Sequence, residues 1–311
     1  MTNLNTLTNH RLPSKSERHV LFGSVTPGPK TKPTEKEKMA DLQNSKKDYL
    51  FDIDAVGINK VTYPVIVSSK IKPYEQSTIA TFSLTSTIDR MTKGTNMSRF
   101  LEVMEEVNDG GFKVDFASLT TFAKKLQERL EQEEVQLEVS FPWFFERLGP
   151  TTGKAGLNHA TLTLNLTYNS TDQSLHYGAK MTALITTLCP CSKEISEYSA
   201  HSQRGNVTME VNFTEDYDEN ELDWKEALLL AAESNASAVI YPVLKRPDEK
   251  FVTESAYENP RFVEDVVRLV AADLYEMPFV EKFIVTCENE ESIHLHNAIA
   301  KIEFDKTKHN E

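Results

Sequence analysis

From residue 50 onward the chain reads strand-strand-helix-helix-strand-strand and then repeats that order, which leaves few architectures open. In the first pass, Phe51–Val67 and Ser77–Ile88 are rich in β-branched residues and read as strands joined by a polar turn. Met97–Val107, with Phe100, Val103, Met104 and Val107 at helical spacing, and Phe116–Leu130 read as helices. Gln136–Phe141 and His159–Tyr168 read as strands, with Pro150, Gly153 and Gly156 breaking the chain between them. In the second pass, Ser174–Leu188 and Asn206–Phe213 alternate as strands, and Asp223–Ser234 and Pro260–Tyr275 read as helices. Asn259 before Pro260 is a cap-and-first-turn signal, and Pro278 follows the end of that helix. Phe279–Cys287 and Ser292–Phe304 close the pattern as strands. No sequence repeat accompanies the doubling. The prediction is an α+β fold of two sequential modules, residues 49–170 and 171–311, each an antiparallel sheet with helices on one face.

Residues 1–48 stand apart. They hold Pro13, Pro27, Pro29 and Pro33, little apolar content, and 9 Lys/Arg against 5 Asp/Glu, the composition of a disordered basic arm. The remaining residues carry 25 basic and 42 acidic side chains, within a net charge of −13 for the whole chain. Such an acidic body is a poor partner for nucleic acid. No apolar run is long enough to span a membrane, and the N-terminus lacks the apolar core of a signal peptide. Three cysteines, at 189, 191 and 287, read as thiols rather than a disulfide framework. These features point to a cytoplasmic protein.

The segment richest in chemistry runs from Cys189-Pro190-Cys191-Ser192-Lys193-Glu194 to His201-Ser202-Gln203-Arg204-Gly205. Cys189 falls just past a predicted strand, where a loop is expected, and Pro190 fixes the direction of that loop. A thiolate with an imidazole twelve positions on suits a soft or borderline metal such as zinc. Two other readings stand beside it. The cysteines could be small core residues with His201 on the surface, or Cys189, Cys191, Cys287 and His201 could close a structural zinc site. A disulfide between Cys189 and Cys191 would be a strained ring.

The run CPCSKEISEYSAHSQRG resembles the signature of GTP cyclohydrolase of type IB, the cysteine-containing, metal-dependent class. The segments Lys93–Phe100, Lys245–Lys250, Asn259–Asp265 and Glu291–His294 are similar to further motifs of that family, in the same order, although Asn96 stands where the family often has histidine. The resemblance implies a tunnelling fold with two modules per chain, assembled into barrels, and a homotetramer with active sites at subunit interfaces. It also implies conversion of GTP and water to 7,8-dihydroneopterin triphosphate and formate. Another tunnelling-fold pterin or deazapurine enzyme, or a zinc-stabilised scaffold, are the alternatives.

Carried over motif by motif, the resemblance implies one divalent metal per site, zinc or else manganese or iron(II), held by Cys189, His201 and Glu249. Three protein ligands leave a coordination position open for water. Glu264, otherwise readable as a first-turn carboxylate paired with Arg268 four residues on, becomes the anchor for the guanine N1–H and 2-amino edge. His294 becomes the general acid/base, with Glu291 close by to orient it and His296 as an alternative shuttle on the same predicted strand face. Lys93, Arg99, Arg204 and Lys245, together with Lys193, are basic residues inside matched motifs and candidates for the triphosphate. No glycine-rich phosphate loop is present, which suits a reaction that leaves the phosphates intact.

Overall fold

The computed structural model describes residues 12–23, 33–39, 41–43, 45–108 and 110–308. Two compact units are distinguished, Met1–Val56 with Thr87–Asn96, and Gly57–Ser86 with Met97–Glu311.

The smaller unit includes the expected basic arm, part of which lies outside the described residues. Lys15–Phe22 form helix α1, opened by a reciprocal cap in which Ser14 Oγ accepts the Glu17 N–H at 3.3 Å and Glu17 Oε2 accepts the Ser14 N–H at 2.8 Å. Further along, Asp48 and Arg90 form a two-pronged ion pair, and the Tyr49 N–H donates to the Arg90 carbonyl at 2.8 Å.

The larger unit carries the core. Its strands belong to one nine-stranded sheet in the order β3-β1-β2-β4-β5-β6-β7-β8-β9. The strands are β1 (Ile53–Ser68), β2 (Glu75–Ile88), β3 (Phe112–Lys113), β4 (Glu134–Leu148), β5 (Ala155–Asn169), β6 (Leu175–Leu188), β7 (Ser202–Phe213), β8 (Val280–Asn289) and β9 (Ala298–Asp305). From β2 to β9 every registered pairing is antiparallel; the two-residue β3 runs parallel to β1. The alternation seen in the sequence follows from this arrangement. Val135, Leu137, Val139, Phe141, Trp143 and Phe145 of β4 are all buried on one face, and Val207, Met209 and Val211 of β7 repeat the pattern.

Helices cover that face. α2 (Ser98–Val107) and α3 (Phe116–Leu130) pack on each other, and α3 rests on β4 and β5 through Leu119, Phe122, Ala123 and Leu126. In the second half, α5 (Trp224–Ser234) lies on β6, and α7 (Val263–Glu276) lies on β8 and β9 through Val266, Val267, Val270 and Leu274. The α+β class, the antiparallel sheet and the helical layer are as the sequence predicted.

Four local departures matter for the site. The expected loop after Cys189 is a short helix, α4 (Pro190–Ile195), with Pro190 at its first position, where the missing N–H costs nothing. Arg246–Glu258, for which the sequence pattern predicts no element, form helix α6, and Pro247 again marks the start. Asn259 ends α6 instead of capping the next helix, which starts at Val263 with the Phe262 N–H donating to Asp265 Oδ2 at 3.0 Å. The strand expected over Ser292–Phe304 occupies only its second half. Residues 290–297 connect β8 to β9, and Ile293 and Leu295, whose alternation suggested a strand, are exposed.

Candidate active site

β6 and β7 form a ladder whose last pair is Leu188 with Ser202, so Cys189 and His201 face each other just beyond its end. Three hydrogen bonds lace them together. The Cys189 N–H donates to the His201 carbonyl at 3.1 Å, the His201 N–H to Ser192 Oγ at 2.9 Å, and the Ser192 N–H to Cys189 Sγ at 3.5 Å. The circuit closes because α4 turns Ser192 back over the strand end.

His201 is also held by its ring. Its Nδ1 lies 3.0 Å from Oε1 of Gln203, whose Nε2 donates to Thr187 Oγ1 at 3.0 Å. Thr187 and Gln203 are cross-strand partners, both buried. With the amide oxygen turned to the imidazole, Nδ1 carries the proton and Nε2 keeps its lone pair. Glu291 Oε2 lies 4.0 Å from the same Nδ1, adding a negative charge beside the ring.

Cys189, His201, Gln203, Glu264, Glu291, His294 and His296 line one cavity of about 320 Å³, closed by Arg261, Phe262, Val263, Asn289 and Ala298. Every residue expected to act in catalysis is therefore in one place, together with the expected guanine anchor. The rings of His294 and His296 stack at 4.8 Å between centroids and 14° between planes, so they share a surface although they sit in a connection and not on a strand. β8 approaches this wall closely at Gly205, where a Cβ would stand 2.6 Å from Asn289 Oδ1 and would have to displace that side chain. Glu264 lies in the first turn of α7 and is exposed. The alternative reading, in which Glu264 pairs with Arg268, is not seen: Arg268 pairs with Asp265, at 3.9 Å.

The remaining expected residues lie elsewhere. Glu249 is exposed in the first turn of α6 and is not among the cavity's lining residues. Its neighbour Asp248 is fully buried and accepts from the N–H groups of Thr151, Thr152 and Lys245 and from Thr152 Oγ1, at 2.6–2.9 Å. Burial alone would raise the Asp248 carboxyl, but these donors outweigh it and hold the group well below the usual carboxylate range. That clamp fixes the start of α6 to the β4–β5 turn. Arg204 points to the face opposite Gln203 and is exposed, Arg99 donates to the Arg129 carbonyl at the end of α3, and Lys245 is exposed at the start of α6. Lys193 binds the Tyr257 carbonyl, joining α4 to α6. Lys93 belongs to the smaller unit, where its N–H donates to the Ser45 carbonyl at 3.2 Å.

The donor types beside one another fit a divalent ion. Cys189 offers sulfur and His201 a free Nε2, with the opposite ring nitrogen already held. Among the described residues, no three His, Cys, Asp or Glu side chains converge closely enough to hold a metal. A closed four-ligand site is disfavoured by Cys287, which is fully buried, bonds to Asn289 Oδ1 at 3.5 Å, and has its thiol pushed up to about 12 by burial and the nearby Glu288. The sequence reading missed Gln203, Arg261 and Asn289. Two of these were inside matched motifs, and their roles appear only when the sheet register and the linker before α7 are known.

The architecture is that of a tunnelling fold, a mixed α+β fold on a large antiparallel sheet. It is similar to uricase from Arthrobacter globiformis (TM-score 0.51, 10% identity, 83% of this chain and 95% of that one) and to a uricase from Bacillus fastidious (TM-score 0.50, 8% identity, 81% and 93%). At such identity the likeness concerns the fold alone. A family model described as type I GTP cyclohydrolase folE2 matches residues 39–300. Curated relatives named GTP cyclohydrolase FolE2 match nearly end to end. The protein from Oceanobacillus iheyensis is 61% identical over 297 residues (96% of this chain, 98% of the relative), and that from Bacillus subtilis is 52% identical over 297 residues (95% and 96%). That from Staphylococcus aureus is 45% identical over 300 residues (96% and 100%). The chain belongs to the type I GTP cyclohydrolase FolE2 family.

Proposed function

We propose that this protein is a GTP cyclohydrolase, which opens the guanine imidazole ring of GTP with water, releases C8 as formate and recloses the product as 7,8-dihydroneopterin triphosphate. The observation that carries the reading is the gathering of Cys189, His201, Glu264, Glu291 and His294 around one cavity in a chain 61% identical to a curated GTP cyclohydrolase.

The reaction needs a nucleophilic oxygen at neutral pH, an anchored base and a proton shuttle. Cys189, His201 and Glu249 are proposed to hold one divalent ion per site, zinc foremost, with manganese or iron(II) as alternatives. Bound there, such an ion would supply the Lewis acidity that makes water nucleophilic near neutral pH. Gln203 keeps the His201 lone pair available on Nε2. The Glu264 carboxylate accepts the guanine N1–H and 2-amino group, a pairing that adenine cannot offer. His294 carries protons to and from the ring nitrogens as the C–N bonds break, with His296 stacked beside it as an alternative shuttle. Glu291, close to His201, stabilises positive charge as it develops on the neighbouring imidazoles. Lys93, Arg99, Arg204 and Lys245 are proposed as triphosphate contacts. None of the four is among the residues that line the cavity of the single chain, which suits active sites shared between subunits.

The cysteine-containing type IB chemistry, the division into modules at 49–170 and 171–311, barrel assembly in a homotetramer and a cytoplasmic location belong to the same proposal. Nucleic acid is not a proposed partner, in keeping with the acidic body. Among the described residues no helix is long and apolar enough to cross a membrane. The deciding experiment is GTP turnover by metal-stripped protein reloaded with one metal at a time, reading formate and the fluorescence of the oxidised product. Release of both with a reloaded ion supports the reading, and absence of formate with every ion ends it.

A further inference from the structure

Among the described residues, Arg261 is the only lysine or arginine that lines the cavity. It lies in the linker between α6 and α7, and its N–H donates to the Leu188 carbonyl at 3.0 Å, one residue before Cys189. Its Nη1 donates to the Pro260 carbonyl at 2.9 Å, while its Nε is buried and has no partner among the described residues. None of the described ion pairs involves it. A buried guanidinium N–H left without an acceptor is costly, and such groups are rare unless a ligand or water completes them. Three residues on, the Glu264 carboxylate lines the same cavity and likewise has no partner among the described residues, with Phe262 and Val263 supplying apolar wall between the two.

We propose that Arg261 is a specificity-determining residue whose buried Nε–H donates to the guanine O6 carbonyl while Glu264 accepts from N1–H and the 2-amino group. The inference rests on the proposed GTP cyclohydrolase reading and adds a second contact to the base. On guanine, the acceptor O6 adjoins the donor N1–H, which matches a guanidinium beside a carboxylate. Adenine reverses both signs, with an amino group at position 6 and a bare N1. It would set donor against donor and acceptor against acceptor, leaving both side-chain charges unpaired. A neutral carbonyl is also the better occupant on electrostatic grounds. A single arginine that shares its cavity with Glu264 and Glu291 is a poor counterion for a triphosphate, but one directed donor suffices for O6. The tie from the Arg261 main chain to the Leu188 carbonyl holds the linker that carries it beside Cys189.

The test compares GTP with 6-thio-GTP, which keeps N1–H and the 2-amino group but replaces O6 with a weak sulfur acceptor. Wild-type enzyme is expected to favour GTP by about 10-fold or more in kcat/KM, and Arg261→Ala to lose about 10- to 100-fold on GTP, as removal of one charge-assisted hydrogen bond predicts. In the variant the preference for GTP over 6-thio-GTP should collapse, a change that general damage to the fold would not produce. Arg261→Lys keeps the charge without the Nε–H. It should lose the same preference, so it serves if the alanine variant does not fold. Retention of the wild-type preference in either variant would overturn the assignment. So would a binding loss in Arg261→Ala that is seen with GTP and vanishes with GMP, since that would make the contact one to phosphate. Wild-type protein that fails to turn over GTP at all would instead end the underlying functional reading.

Discussion

The main-chain N–H of Cys189 donates to the carbonyl of His201 at 3.1 Å, which ties the thiol to the imidazole across the open end of the β6–β7 ladder. Eleven residues of intervening chain, including α4, serve to bring back two side chains that the sheet has already set opposite each other. Cys189→Ala is expected to reduce product formation to background and to abolish metal retention. Cys287→Ala empties a small volume behind β8 and should lower Tm by about 2–4 °C with turnover kept. Enzyme assays, metal analysis and thermal melts on the two variants check this contrast.

Gln203 acts on the site only through His201. Gln203→Leu removes the acceptor that holds the Nδ1 proton and is expected to weaken metal binding by about 10- to 100-fold. Gln203→Glu, which still presents an oxygen to Nδ1, should retain most of the affinity. Competition against a chromophoric chelator reads both values without recourse to turnover.

His294 and His296 stack face to face, so only substitution separates them. His294→Asn is expected to lower kcat by about 10²- to 10⁴-fold with little change in GTP binding, as loss of a general acid/base does. His296→Asn should have the smaller effect. The opposite ranking in single-turnover kinetics would move the proton transfer to His296.

The first turn of α6 separates structure from chemistry in adjacent residues. Asp248→Asn leaves three main-chain donors of the β4–β5 turn and α6 facing an amide that can accept through only one oxygen. It should lower Tm by several degrees. Glu249→Gln should leave Tm unchanged in metal-free protein but reduce metal retention. Equal Tm losses in the two variants would count against a ligand role for Glu249.

Much of this was legible in the sequence because burial on one face imposes a period of two. The β4 run from Val135 to Phe145 and the α3 positions Leu119, Phe122 and Leu126 announce their elements directly. Where legibility failed, the periodic signal was absent or misleading. α6 presents few apolar side chains to a core, with only Asp248 and Ala256 buried, so its helical period was hidden behind Pro247. The Ile293 and Leu295 alternation mimicked a strand with nothing to cover it. At the site, the residue types at 189, 201, 264, 291 and 294 were recognisable from their motifs. Gln203 and Arg261 were not, because one acts through a cross-strand register and the other through an unfilled donor, and neither leaves a pattern along the chain.

The central claim is that Cys189 and His201 grip one ion, and anomalous diffraction from crystals of metal-loaded protein, collected at the absorption edge of that metal, tests it directly. The predicted result is a single peak per chain about 2.3 Å from Cys189 Sγ and about 2.0–2.1 Å from Nε2 of His201. A peak bound to other residues, or none in protein that releases formate from GTP, would contradict it.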